Sequence, residues 1–139
     1  MTRIVTLKTV TDRKLLKKIY SLYEKEYLNF DKDNPNRSAK IYVPIDCNLV
    51  AEKLSTEPGL IFGRLYYHLD KKYRYKQENG SNVHLFAMKV GSDINAIHFP
   101  LLASVIAELD DSFRRFTIPL VISSLAFLVS LGSLVTNVI

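Results

Sequence analysis

The amino-acid sequence predicts an α+β domain followed by a single C-terminal transmembrane helix. Three observations carry this. Residues 117–139 contain no charged residue, whereas every charged residue lies between Arg3 and Arg115. Ahead of that run, apolar residues recur at helical spacing in four segments. Short β-type runs separate those segments, among them KIYVP and the residues flanking Asn79–Gly80. The expected organisation is an N-terminal arm over 1–10, a folded domain over 11–112, and a juxtamembrane segment with the span over 113–139.

The chain has 139 residues, a size for one domain and an appendage, and a formal net charge of +5. Its lone cysteine, Cys47, excludes an intrachain disulfide and a four-thiolate metal site. A reducing compartment fits that usage. The stretch MTRIVTLKTVTDRK lacks an apolar core, so it does not read as a secretory signal.

Each element follows from local pattern. Ile4 to Leu7 reads as a short strand or a loose arm. Thr11 can cap a helix to about Phe30, with Leu16, Ile19, Tyr20, Tyr23, Tyr27 and Phe30 on its apolar side. Lys14, Lys17, Lys18, Ser21 and Lys25 fall opposite. DKDNPNRS is a polar loop of turn-formers. KIYVP is a short strand closed by Pro44. Asp46 can cap a helix through Leu54 that buries Leu49, Val50 and Leu54. Thr56 or Glu57 can then cap a helix from Pro58 to about Lys72, with Ile61, Phe62, Leu65, Tyr66 and Leu69 inward. KYRYKQENGSNVHLFAMKV predicts two strands around an Asn79–Gly80 turn. GSD turns the chain, and Pro100 opens a helix carrying Leu101, Leu102, Val105, Ile106 and Leu109 toward the span.

The span is expected on length and composition. Twenty-three residues, Thr117 to Ile139, make a helix of about 34 Å, enough for a hydrocarbon core of about 30 Å. Thirteen are Leu, Ile, Val or Phe, contributing roughly −4 to −8 kcal/mol to insertion before the polar residues subtract. Pro119 sits near the start of the run, where a helix tolerates it. A core helix of a small domain would show a polar face, and this run shows only Ser, Thr and Asn. Arg114 and Arg115 precede the span and no charge follows it, so the positive-inside rule places the N-terminal domain in the cytoplasm. The expectation is a tail-anchored, single-pass protein of the inner (cytoplasmic) membrane. Ser123, Ala126, Ser130, Ser133 and Asn137 share one helix face, where small and polar side chains allow spans to associate.

The order helix, strand, helix, tight turn, helix, hairpin, helix resembles the winged helix-turn-helix superfamily. The resemblance is carried by IDCNLVAEKLSTEPGLIFGRLYYHLDKKYRYK and by Asn79–Gly80 as the expected wing, with Glu78–Ser81 as its tip, and covers roughly residues 11–110. VHLFAMKVGSD, followed by an apolar helix and a C-terminal span, is also similar to small membrane-anchored bacterial proteins. The resemblance implies that helix 58–72 is a recognition helix with Arg64, Tyr67, His68 and Lys71 outward. Arg64 to Lys76 holds five basic residues, Arg64, Lys71, Lys72, Arg74 and Lys76, against one acid, Asp70. A local charge of +4 suits phosphate contact. Gly63 with the aromatic content, the wing tip Glu78–Ser81 without a base, and a net charge of only +5 weigh against DNA. The charges read alternatively as a solvated face or a surface facing anionic lipid heads, and a protein partner stands level with DNA.

No catalytic constellation is expected. His68, His84 and His98 lack metal-ligand spacing with one another or with Cys47, and the five glycines form no phosphate loop. Cys47 reads as a small core residue, and Asp110 and Asp111 are not an acid/base pair. No cofactor, metal or small-molecule substrate is implied. The expected function is non-enzymatic: a binding or regulatory module for a protein partner or DNA, held at the membrane and able to self-associate. The alternative is an effector whose tails oligomerise and perturb the bilayer.

Overall fold

Thr11 begins the fold as a cap. Its hydroxyl accepts the N–H of Lys14 at 3.2 Å, and α1 (Asp12–Leu28) follows. Asp12 in the first turn and Lys25 in the last complement the helix dipole. Leu15, Leu16, Ile19 and Tyr23 form the buried stripe. The structure is a computed structural model and describes residues 7–138. The strand or arm expected over Ile4–Leu7 therefore lies outside the described residues but for Leu7.

The loop after α1 is organised by one side chain. Arg37 is buried, and its guanidinium donates to the carbonyls of Glu26 (2.9 Å), Tyr27 (3.1 Å), Ala39 (3.1 Å) and Lys40 (2.8 Å). It satisfies two carbonyls at the end of α1 and fixes the approach to the first strand. That strand is β1 (Tyr42–Pro44). Asp46 then caps α2 (Cys47–Leu54), accepting from the Asn48 N–H at 2.9 Å while its own N–H donates to the Tyr23 hydroxyl at 2.7 Å. Ser55 ends α2 in the left-handed region, φ 55°.

Glu57 caps the next helix, accepting from the N–H groups of Gly59 (2.9 Å) and Leu60 (3.1 Å). Three segments run on without a break: α3 (Pro58–Gly63), a π-helical stretch (Arg64–Leu69) and α4 (Asp70–Tyr73). Ile61, Leu65 and Leu69 are all buried at four-residue spacing. The helix expected over 58–72 is thus present, with a widened middle.

A two-stranded hairpin follows, β2 (Tyr75–Lys76) and β3 (Asn82–Val83), turning at Asn79–Gly80 with Gly80 at φ 84°. Beyond it lie β4 (Phe86–Val90) and β5 (Asp93–His98). β5 is the middle strand of an antiparallel sheet ordered β1-β5-β4. Here the structure corrects the sequence reading. VHLFAMKV is not one strand: β3 ends at Val83 and β4 begins at Phe86 in a different sheet. The strand β5 was not expected at all. Gly91 makes the β4–β5 turn at φ 59°, and a Cβ there would lie 2.6 Å from the Ser38 hydroxyl oxygen, so both conformation and space demand glycine.

The last helix, α5 (Phe99–Val138), starts one residue after β5. Phe99 stacks between Tyr20 (5.0 Å) and Tyr27 (4.6 Å) of α1, and Leu102 and Val105 complete the core. Pro119 is therefore interior to a 40-residue helix, not near a helix start. It withholds the N–H that the Arg115 carbonyl would otherwise accept. The chain divides into compact units ending at Ile106 and beginning at Ala107, so the boundary expected at 112/113 falls inside the second unit. α5 contains a stretch long and apolar enough to cross a membrane, with mean hydropathy 2.2 and none of it buried within the protein.

Candidate functional site

The expected basic face of helix 58–73 divides into two groups. Arg64 and His68 turn toward the start of α1. The Arg64 guanidinium donates to Asp12 Oδ1 at 2.7 Å and to the Val10 carbonyl at 3.1 Å, and His68 Nε2 lies 3.6 Å from Asp12 Oδ2. Arg64 thus ties the N-terminal residues to the helix. These side chains edge a cleft of about 320 Å³ that Val10, Leu15, Leu60 and Ile61 also line.

Tyr67, Lys71 and Arg74 fall on the other side, at i, i+4 and i+7. They line a groove of about 430 Å³ between the helix and β4. Tyr66, His84, Met88 and Lys89 join them there. Lys72 and Lys76 are exposed and lie outside this groove, with Lys72 Nζ 5.3 Å over its neighbour's Tyr73 ring. The structure therefore brings together three of the seven expected residues and adds seven others to the lining.

Asp70 forms the floor. It is 4% exposed, yet it is a carboxylate. Oδ1 accepts the backbone N–H groups of Leu85 (2.9 Å) and Phe86 (3.2 Å), and Oδ2 lies 3.1 Å from His84 Nδ1. A buried charge is tolerated only with such a full set of partners. The sequence shows Asp70 as the one acid diluting a basic patch. Folded, it is withdrawn from the surface and joins the helix to the first residue of β4. The mouth is then cationic, with Lys71, Arg74 and Lys89 and no exposed carboxylate lining it. Tyr67, 71% exposed, packs edge-on against Tyr66 at 4.9 Å.

Among the described residues, no group of three or more His, Cys, Asp or Glu side chains is placed to hold a metal ion. Cys47 is half-buried, and burial followed by the nearby Asp46 charge raises its thiol above the usual range. A raised value keeps it in the unreactive thiol form.

On the second unit, Ser123, Ala126, Ser130, Ser133 and Asn137 are all exposed along α5. The Ser130 hydroxyl donates to the Ala126 carbonyl at 3.0 Å, so its donor is satisfied within its own helix.

Fold and groove define the class: a mixed α/β domain with a cationic, aromatic groove, carrying one helix long and apolar enough to cross a membrane. No protein-family model, curated protein or solved structure matches this chain.

Proposed function

We propose that this chain is a non-enzymatic, membrane-held binding module whose groove between helix 58–73 and β4 takes an acidic protein partner. The single observation that carries the reading is that groove: three cations, two tyrosines and no exposed carboxylate, between helix 58–73 and β4. Tyrosine and arginine are the side chains that anchor protein interfaces best. A winged-helix type is supported by the order α1, β1, α2, helix 58–73, β4–β5, with β1 paired to β5. In that reading the wing is the β4–β5 hairpin, and the Asn79–Gly80 turn is an insertion before it.

A protein partner is favoured over duplex DNA on two counts. Arg64, the arginine best placed to read a base edge, is held by Asp12. The wing tip, Gly91–Ser92, carries no cation for a phosphate. The membrane association rests on α5, and a cytoplasmic domain follows from Arg114 and Arg115 ahead of its uncharged run. Confinement to a surface raises the module's effective concentration toward other membrane-bound proteins.

The test uses the full chain in detergent micelles, titrated with a labelled Glu-rich peptide and with a labelled DNA duplex at several salt concentrations. The peptide should bind more tightly than the duplex. Lys71→Ala with Arg74→Ala should weaken it about tenfold, the equivalent of 1.4 kcal/mol. Tighter binding of the duplex, or indifference to the double substitution, would sink the reading.

A further inference from the structure

Asp70 does more in the groove than hold β4. Its Oδ1 is filled by the backbone N–H groups of Leu85 and Phe86, which leaves Oδ2 to the His84 ring, 3.1 Å from Nδ1. An ionised carboxylate only accepts, so Nδ1 carries the proton and the ring is held in one orientation by a side chain that is itself buried. His84 lines the groove, and its second nitrogen, Nε2, has no partner among the described residues. Lys71, Arg74 and Lys89 line the same groove, each exposed and without a carboxylate partner among the described residues. Lys71 and Arg74 are three apart at the end of helix 58–73 and so lie side by side, while Lys89 comes from β4, the other wall.

We infer that the acidic partner presents a phosphorylated side chain to this groove, its phosphate monoester held by Lys71, Arg74 and Lys89 and recognised by His84 Nε2. This deepens the groove reading above and rests on it. Two features favour a phosphate ester over a Glu or Asp side chain. The first is charge. Three cations above one buried, engaged anion leave an excess that a single carboxylate does not match. A phosphate monoester carries about −1.5 to −2 near neutrality, with three strong acceptor oxygens. The second is the proton. A neutral ring held by Asp70 offers a lone pair at Nε2, which a carboxylate, ionised at neutral pH, only repels. A phosphate monoester loses its second proton at a pH of about 6, so it and an imidazole can share one proton near neutrality. Either the P–O–H donates to Nε2, or an imidazolium N–H donates to a phosphate oxygen with Asp70 supporting the charge from behind. A nucleic-acid phosphate is a diester with a single charge and no such proton, and it satisfies neither feature.

The experiment again uses the full chain in micelles, at neutral pH. Three fluorescent peptides share one Glu-rich sequence and differ only at the central residue, which is serine, glutamate or phosphoserine. A single-stranded oligonucleotide is the fourth probe. The phosphoserine peptide should bind about tenfold more tightly than the glutamate peptide. His84→Asn keeps an amide N–H for Asp70 Oδ2 and removes Nε2, so it should shrink that ratio to about twofold. Competition on the native chain depends on no variant. Inorganic phosphate should displace the phosphoserine peptide at a several-fold lower concentration than sulfate, which carries the larger charge but no proton near neutrality. Equal affinity for the phosphoserine and glutamate peptides, or sulfate displacing as well as phosphate, would overturn the phosphate inference and leave the acidic-groove reading standing. A ratio unchanged in a folded His84→Asn chain would overturn recognition by His84. Failure of all three peptides to bind, or tighter binding of the oligonucleotide, would overturn both readings.

Discussion

Asp70 shows how one residue decides what the site presents. In the sequence it sits between Leu69 and Lys71 and counts as one negative charge among five positive ones. Leu69 and Asp70 are both buried, the first by the core and the second by the backbone of β4. Adjacent helical positions point about 100° apart, so the burial of both needs a neighbour on each side, and the start of β4 supplies the second. Arg37 is the matching cationic case, a loop residue whose four carbonyl partners replace solvent. Both are expensive to remove, because each leaves several buried backbone groups unpaired. Asp70→Ala strands the N–H groups of Leu85 and Phe86 and should cost about 2–4 kcal/mol. Asp70→Asn keeps an acceptor oxygen and should cost roughly half as much. Denaturant unfolding of the full chain in micelles measures both. A loss below about 0.5 kcal/mol for the alanine variant would mean that water replaces the carboxylate, and that Asp70 does not hold β4 to the helix.

At the level of elements, caps were legible and pairings were not. Thr11, Asp46 and Glu57 each carry a local signal, and each caps the helix expected of it. Asn79–Gly80 makes its turn as the dipeptide predicts. The strand β5, DINAIH, carries only a weak alternation and lies against Pro100, so its sequence alone reads as a lead into a helix. Its existence depends on β1 and β4 on either side, which is non-local information. The groove was half legible for the same reason. Tyr67, Lys71 and Arg74 share a helix face by spacing, but Met88 and Lys89 join them only once β5 makes β4 an edge. The junction of β5 with α5 carries a prediction of its own. His98 Nδ1 accepts the Leu101 N–H at 3.1 Å, so the ring caps α5 in its neutral form. Burial lowers its pKa from 6.5, only partly opposed by a backbone hydrogen bond. As pH falls, the unfolded imidazole takes up its proton first. Stability is therefore full above 6.5 and declines as pH drops from there through the lower folded value. The loss should be about 1 kcal/mol, the worth of a cap. His98→Asn keeps a capping acceptor that does not titrate. Melting curves from about pH 8 to 5 should fall more steeply for the native chain than for that variant. Parallel curves would show that His98 does not carry the pH dependence.

For the whole molecule the decisive question is which side of the bilayer holds the folded unit. α5 has a sharp change of character near Arg114 and Arg115, beyond which no charge occurs. Phe113 and Phe116 are exposed beside these arginines, as suits a segment at headgroup depth, where apolar rings and cationic tips are both accommodated. Arg115 Nε lies 3.1 Å from Asp111 Oδ2, but both side chains are mostly exposed, so the pair offsets little of the positive charge. Pro119 frees the Arg115 carbonyl at the same level, where water and headgroups can satisfy it. The Ser130 hydroxyl donates within its own helix and keeps its acceptor capacity toward another span. The proposed orientation, with the domain on the cytoplasmic side, rests on the two arginines ahead of the uncharged run. Protease added to sealed vesicles with the cytoplasmic face outward should digest the folded unit and leave a short protected fragment containing the span. Arg114→Gln with Arg115→Gln should raise the protected fraction, because lysine and arginine beside a span bias it toward the cytoplasmic side. A native domain protected from protease in such vesicles would reverse the orientation.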